Sequence, residues 1–179
     1  MTMRLLKPTW QELRKLRGVG NYQFGSKVGD ILFRGRLQIT HSKRTGKIRQ
    51  IYRDGEMLGT LRPRDGYLAL TINAAKTILR KCSRPPNLVV VRRDVEEFVA
   101  SGRNVFARHV MRCDPAIRPM DEVIVVSDQG SLLAVGRAVL SGEEMTVFKR
   151  GVAVKVREGI LRSHGKQNDY CPSIPTKIH

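Results

Sequence analysis

Between Arg34 and Arg53 the chain carries seven basic side chains, Arg34, Arg36, Lys43, Arg44, Lys47, Arg49 and Arg53, and no acid. The same stretch has a period of two. Leu37 and Ile39 alternate with polar residues, Ser42 to Gly46 has turn chemistry, and Ile48 to Tyr52 alternates again. That period belongs to strands, in which successive side chains point to opposite faces. The segment therefore has to fold as hairpins that bury one face while holding a dense positive field. Like charges at this density oppose a compact state unless an anion meets them, whereas a merely solvated surface interleaves the two signs. Solubility, or a thermophile's use of Arg, is the plain explanation. A surface facing phosphates is the reading the acid-free pattern favours. A membrane surface fits less well, because strands and a turn carry the charge, not an amphipathic helix with an aromatic face.

The field is uneven along the chain. Of 179 residues with a formal net charge of +17, residues 1–86 hold 19 basic and 5 acidic side chains, and residues 87–162 hold 12 and 10. Pro85-Pro86 is a stiff boundary between the two. This divides the chain into a basic domain over 1–86, a nearly neutral domain over 87–162 and an irregular tail over 163–179, where Gly165, Pro172 and Pro175 interrupt any periodicity. With 41% apolar residues the chain has enough to bury a core. Three scattered cysteines, Cys82, Cys113 and Cys171, do not make a disulfide framework and predict a reducing, cytoplasmic setting. No apolar run approaches the roughly 18 residues of a membrane span, and Met1 to Trp10 lacks the apolar core of a secretory signal.

Local signals place the elements. Thr9 with Glu12, and Ser141 with Glu144, have capping-box spacing. The first helix is predicted to stop at Gly18, with Gly18 to Gly20 and then Tyr22 to Gly25 as turns, and Val28, Ile31 and Leu32 form a short helical stripe. Strands are predicted over 37–41, 48–52, 57–61 and 67–72, with Asp54-Gly55 and Asp65-Gly66 as turns, before a closing helix from Ala74 to Lys81. The second domain reads as strands at 88–91, 105–111, 123–126, 132–139 and 152–156 with two short helices. The fold class is α+β: an antiparallel meander domain, then a mixed β pseudo-barrel.

Several segments of the second domain resemble the PUA domain, a small RNA-binding pseudo-barrel. They are Gly102 to Ala107, Ile117 to Val125, Leu133 to Ala138, Ser141 to Met145 and Lys149 to Val156. The first domain, through Tyr22 to Gly25, Ser42 to Gly46 and Thr60 to Gly66, is similar to the domain that precedes PUA in archaeosine tRNA-guanine transglycosylases. The resemblance implies RNA as partner, tRNA first and rRNA second, with the PUA module holding the acceptor-stem end while another domain does chemistry. A transglycosylase's catalytic barrel needs about 250 residues, so the chain is expected to be non-catalytic. It would act alone in connection with RNA modification, as a subunit beside a separately encoded tRNA-modifying enzyme, or as a ribosome-assembly or translation factor.

Candidate contacts follow. Arg36, Lys43, Arg44, Lys47, Arg49 and Arg53 would meet duplex backbone, since A-form RNA is gripped by phosphates and shape. Gly136, inside a strand, marks either a bulge or the close approach of another backbone. The resemblance favours ligand approach there, with Arg137 as a phosphate partner, and it also implies a contact at Arg103. Lys149, Arg150 and Lys155 are either further contacts or cations drawn to a helix end. Phe106 and Phe148 are assigned to the core, and Tyr52 and Tyr67 to cross-strand packing with base stacking as the alternative. Nothing suggests an enzyme. His109 and Cys113 are too far apart on an extended strand to pair. No CxxC or HxxxH pattern predicts a metal, and no GxGxxG or P-loop predicts a nucleotide cofactor.

Overall fold

The structure is a computed structural model that describes residues 5–25 and 27–163. The chain divides into two compact units, Met1–Ser83 and Arg84–His179. Of the tail expected over 163–179, only Ser163 is among the described residues, and the rest of that expectation lies outside them.

The first unit contains helix α1 (Trp10–Phe24), a short α2 (Val28–Leu32), the meander β1 (Leu37–His41), β2 (Ile48–Arg53), β3 (Glu56–Leu61) and β4 (Leu68–Leu70), and helix α3 (Ile72–Lys81). The four strands are antiparallel in sequential order, and Leu6 adds one bridge to Ile39 beyond β1. Helix α1 starts where the capping box places it: Glu12 N–H donates to Thr9 Oγ1 and the Glu12 carboxylate accepts from Thr9 N–H. The same carboxylate sits 2.6 Å from His41 Nε2. The Thr9 N–H, with His41 adding to it, holds Glu12 below the usual carboxylate range against the opposing pull of partial burial.

The expected stop at Gly18 is corrected. Helix α1 runs on through Gly18 and Gly20 to Phe24, and Gly25, at φ 87°, ends it. The physical reason is close helix approach, since a Cβ on Gly20 would lie 2.7 Å from Gly29 Cα of α2. A glycine of this kind is a helix contact and not a terminator. Tyr22 to Gly25 is the last turn of α1 and its cap. The core gathers Leu16, Phe24, Leu32, Phe33, Ile39, Ile51, Leu58, Leu68, Leu70, Ile72 and Ile78, all fully buried.

The second unit is a six-stranded mixed sheet in the order β6-β10-β9-β8-β5-β7. Its strands are β5 (Leu88–Val91), β6 (Val105–Phe106), β7 (Val110–Cys113), β8 (Glu122–Val126), β9 (Leu132–Ala138) and β10 (Val152–Gly159), with helices α4 (Glu96–Ala100), α5 (Gly142–Val147) and α6 (Ile160–Ser163). Edge strands β6 and β7 are joined through a single 3-10 turn at Ala107–His109, which makes the sheet an almost closed barrel. Two expectations need correction. The single strand over 105–111 is broken by that turn, and a third short helix, α6, follows β10. Val89, Val91, Val123, Val125, Ala134 and Val154 fill the barrel.

Phe106 and Phe148 are 45% and 46% exposed, not core. Val105 occupies the inward position of its two-residue strand, so strand alternation turns Phe106 outward.

Candidate nucleic-acid interface

In a sequential antiparallel meander, the first and third turns lie at one end of the sheet and the second turn at the other. This divides the seven cations of 34–53 into two groups. Lys43, Arg44 and Lys47 occupy the β1–β2 turn and Arg49 the start of β2, all exposed. Arg34 and Arg36 lie before β1 and Arg53 at the end of β2, at the opposite end and on the order of 20 Å away along the strands. The expected single surface is therefore two.

The opposite end is the weaker candidate. Arg53 is half-buried and donates to the Leu32 carbonyl at 3.2 Å and to Thr77 Oγ1 at 2.8 Å, so its guanidinium ties α2 and α3 to the sheet. It is removed from the set of phosphate contacts. Arg36 and Arg34 are followed there by the exposed acids Asp54 and Glu56.

The turn end gains residues that the sequence reading missed. The β3–β4 turn repeats the build of the β1–β2 turn. Ser42 N–H donates to Lys47 O (2.9 Å) and Gly46 N–H to Ser42 O (2.8 Å), as Arg62 N–H donates to Tyr67 O (2.8 Å) and Gly66 N–H to Arg62 O (2.8 Å). Gly46 and Gly66 both take positive φ, 64° and 74°, which closes each loop. The second turn adds Arg62 and Arg64 beside the first turn's cations. A count along the chain separates the two groups, while the meander brings them to one end. The acid of the second turn, Asp65, is committed locally: its Oδ1 accepts from Arg62 Nε at 3.1 Å and from Tyr67 N–H at 2.9 Å. Among the described residues, none of Lys43, Arg44, Lys47, Arg49 and Arg64 is ion-paired to an acid.

On the second unit, register places Arg137 of β9 directly opposite Lys155 of β10, and Glu122 of β8 opposite Arg137 on its other side. These three share one face of the sheet. Arg157 sits in the β10 bulge between Val156 and Glu158, where an extra residue re-aims a side chain. It grips the Glu122 carboxylate through both of its terminal nitrogens, Nη1 to Oε2 at 3.1 Å. Glu122 is 1% exposed. Arg103 is exposed in the loop before β6, next to Asn104, whose Oδ1 accepts from Val156 N–H at 3.1 Å. Lys149 and Arg150 are exposed just before β10. The basic candidates of this unit thus lie on and around β10, with Arg137 of β9 and Lys155 brought together and Lys149 and Arg150 just before the strand.

Gly136 has a different explanation from ligand approach. It is buried, and a Cβ there would lie 2.5 Å from the Lys155 carbonyl oxygen and 2.9 Å from Val156 Cα. The other backbone that comes close is β10 itself. Gly136→Ala is accordingly expected to destabilise the second unit by about 1–3 kcal/mol, as overpacking does, seen as a lower midpoint in denaturant; an unchanged midpoint would contradict this packing. A larger residue there reports on strand pairing before it reports on any ligand.

The thiols of Cys82 and Cys113 are not poised as nucleophiles. Burial, then Asp114, pushes the Cys113 thiol up, and burial does the same to Cys82; the Cys113 Sγ donates to the Gly142 carbonyl at 3.1 Å. Burial, then the charge of Arg108, lowers His109. Among the described residues no group of three His, Cys, Asp or Glu side chains is placed to hold a metal, and no helix is long and apolar enough to cross a membrane.

A meander unit with an acid-poor turn end, followed by an almost closed mixed barrel with a basic strand, defines a two-unit protein of mixed α+β class. Family models match both units: the patch-forming domain C2 of tRNA-guanine transglycosylase over residues 14–86, and the PUA domain over residues 87–160. The chain is a PUA-domain protein that resembles the C-terminal portion of archaeal tRNA-guanine transglycosylases. It is 41% identical over 151 residues to the tRNA-guanine(15) transglycosylase of Methanobrevibacter smithii, covering 84% of this chain and 23% of that protein. It is 43% identical over 155 residues to that of Thermococcus kodakarensis, covering 86% and 26%. The chain thus spans about a quarter of the length of these relatives. Among solved structures, a PUA domain from Aeropyrum pernix superposes with a TM-score of 0.66 at 15% identity, covering 89% of this chain and 87% of that one. A hypothetical protein from Pyrococcus horikoshii gives 0.61 at 22%, covering 87% and 94%. These two likenesses bear on the fold.

Proposed function

We propose that the chain is a non-catalytic RNA-binding protein that grips tRNA at its acceptor stem and 3′ end, in connection with RNA modification. The observation that carries this reading is the turn end of the first unit. Two hairpin loops of the same build and the start of β2 present Lys43, Arg44, Lys47, Arg64 and Arg49 with no acid of the described residues paired to them. Such an array suits a phosphate backbone, whose contacts position a protein without reading sequence, and duplex RNA offers little else to read. On the second unit, Arg103, Arg137, Lys149, Arg150 and Lys155 are the proposed contacts, with Arg137 and Lys155 side by side. Gly136 belongs to the site as the residue that lets β9 and β10 close, which brings Arg137 and Lys155 together.

A second reading is favoured by the 41–43% identity to archaeal transglycosylases. In it the chain is an accessory subunit that delivers tRNA to a separately encoded enzyme of that type. Crosslinking in cells with sequencing of the bound RNA tests both. Reads concentrated on tRNA acceptor stems support the proposal, and co-purification of a transglycosylase-like barrel supports the accessory form. Reads concentrated on rRNA would replace both with a ribosome-assembly or translation role.

A further inference from the structure

We propose that Tyr22 and Tyr67, backed by Arg62, form a stacking site for an unpaired nucleobase at the turn end of the first unit; the inference rests on the RNA-binding reading and assigns a second kind of contact to that surface.

Three independent placements converge there. The Gln23 side chain locks the last turn of α1 onto the start of β4, its Oε1 accepting from Leu68 N–H at 2.6 Å and its Nε2 donating to the Leu68 carbonyl at 3.2 Å. The residues just before these two, Tyr22 and Tyr67, are thereby brought together, with ring centroids 6.1 Å apart and planes tilted by 43°. The Arg62 guanidinium lies 5.5 Å from the centre of the Tyr67 ring and is held by Asp65. Asp65 in turn fixes the backbone of Tyr67. The cluster is thus preorganised from below by two side-chain clamps and a cation–π contact.

Its outer side is open. Tyr22 is 77% exposed, so its ring adds little to the core, yet Tyr67 and the Gln23 clamp restrict where it can point. An aromatic ring held in place with a free face, next to an Arg plane and within a field of unpaired cations, has the composition of single-strand sites. There bases stack while cations track the backbone, and sequence matters little because every base has a π-face. The cations are already at hand, since Lys43, Arg44, Lys47 and Arg64 lie on the two turns at this same end. A partner protein could use an exposed Tyr and Arg as anchors, but the surrounding positive field, in which Asp65 is already committed to Arg62 and Tyr67, favours a nucleic acid.

The test uses the full chain with two RNA hairpins, one blunt and one bearing a short single-stranded 3′ overhang labelled with 2-aminopurine. Tyr22→Ala is expected to weaken binding of the overhang hairpin by roughly 5- to 150-fold, the range of one lost base stack, and to abolish quenching of the 2-aminopurine. Binding of the blunt hairpin stays unchanged, and Tyr22→Phe behaves as the parent chain. Because the side chain is exposed, the thermal midpoint stays put in both variants. If Tyr22→Ala binds the overhang hairpin and quenches its label as the parent does, or weakens both hairpins equally, the stacking site is overturned while RNA binding stands. If the parent chain binds neither hairpin, the RNA-binding reading falls and this inference with it.

Discussion

Replacing Arg44, Lys47 and Arg64 together by Ala is expected to weaken binding of every RNA alike, by roughly thirty- to a hundredfold, and to flatten the salt dependence. The reasoning is electrostatic. Each Lys or Arg that neutralises a phosphate releases condensed counterions on binding, so log K falls with log salt by about 0.9 per contact. Three lost contacts remove about 2–3 from that slope, and contacts to phosphate carry no base preference. The three residues come from both turns of one sheet end, and all three are exposed. Their removal relieves like-charge repulsion and touches no buried group, so the fold is retained. The control is the other end. Arg34→Ala with Arg36→Ala leaves affinity and slope nearly as they were, because those residues lie across the sheet from the turns. Titrations of a duplex RNA at several salt concentrations read both effects. Equal loss from the two variants would mean that the positive field acts as a whole, without a docking end.

The second large effect concerns stability. Arg157→Ala is expected to cost about 3 kcal/mol in denaturant unfolding, the lower part of the range for a buried pair that loses one partner. Glu122 is 1% exposed and cannot regain solvent when the guanidinium is gone. Arg157 itself is 41% exposed, which keeps the figure at the low end. The double variant Glu122→Gln with Arg157→Ala recovers part of the loss, since a neutral amide leaves no buried charge. An Arg157→Ala chain as stable as the parent would show that Glu122 is compensated by other groups.

Much of the architecture is legible in the residues themselves. The period-two runs give the four-stranded meander, both capping boxes form as their spacing implies, and Asp54-Gly55 adopts positive φ at both positions, as a tight hairpin turn demands. What fails does so because one residue type serves two physical ends. Gly18 and Gly20 read as a stop, yet α1 continues through both; Gly20 lets two helices touch at Gly29, and only the position of Gly29 reveals that use. Phe106 reads as core because it is large and apolar, while a two-residue strand decides its direction through Val105. Glu122 lies just before the strand predicted from Val123, and its partner Arg157 sits in a bulge 35 residues further along. The candidate interface was half visible. The charge density was plain in the composition, but its division between opposite ends, and the union of Arg64 with the first loop, are properties of the meander. A tally along the chain counts Arg53 with its neighbours, whereas the fold assigns it to Leu32 and Thr77.

The twin loops have a consequence of their own. Each is closed by main-chain bonds and one glycine in the left-handed region, with the Asp65 carboxylate adding a bond to Tyr67 N–H in the second, so the apex residues Lys43-Arg44-Thr45 in one and Pro63-Arg64 in the other do not determine whether the strands pair. Apex chemistry can therefore drift while the scaffold stays constant. Recognition at this end would then be tuned two tips at a time, much as interchangeable fingertips on a single rigid hand.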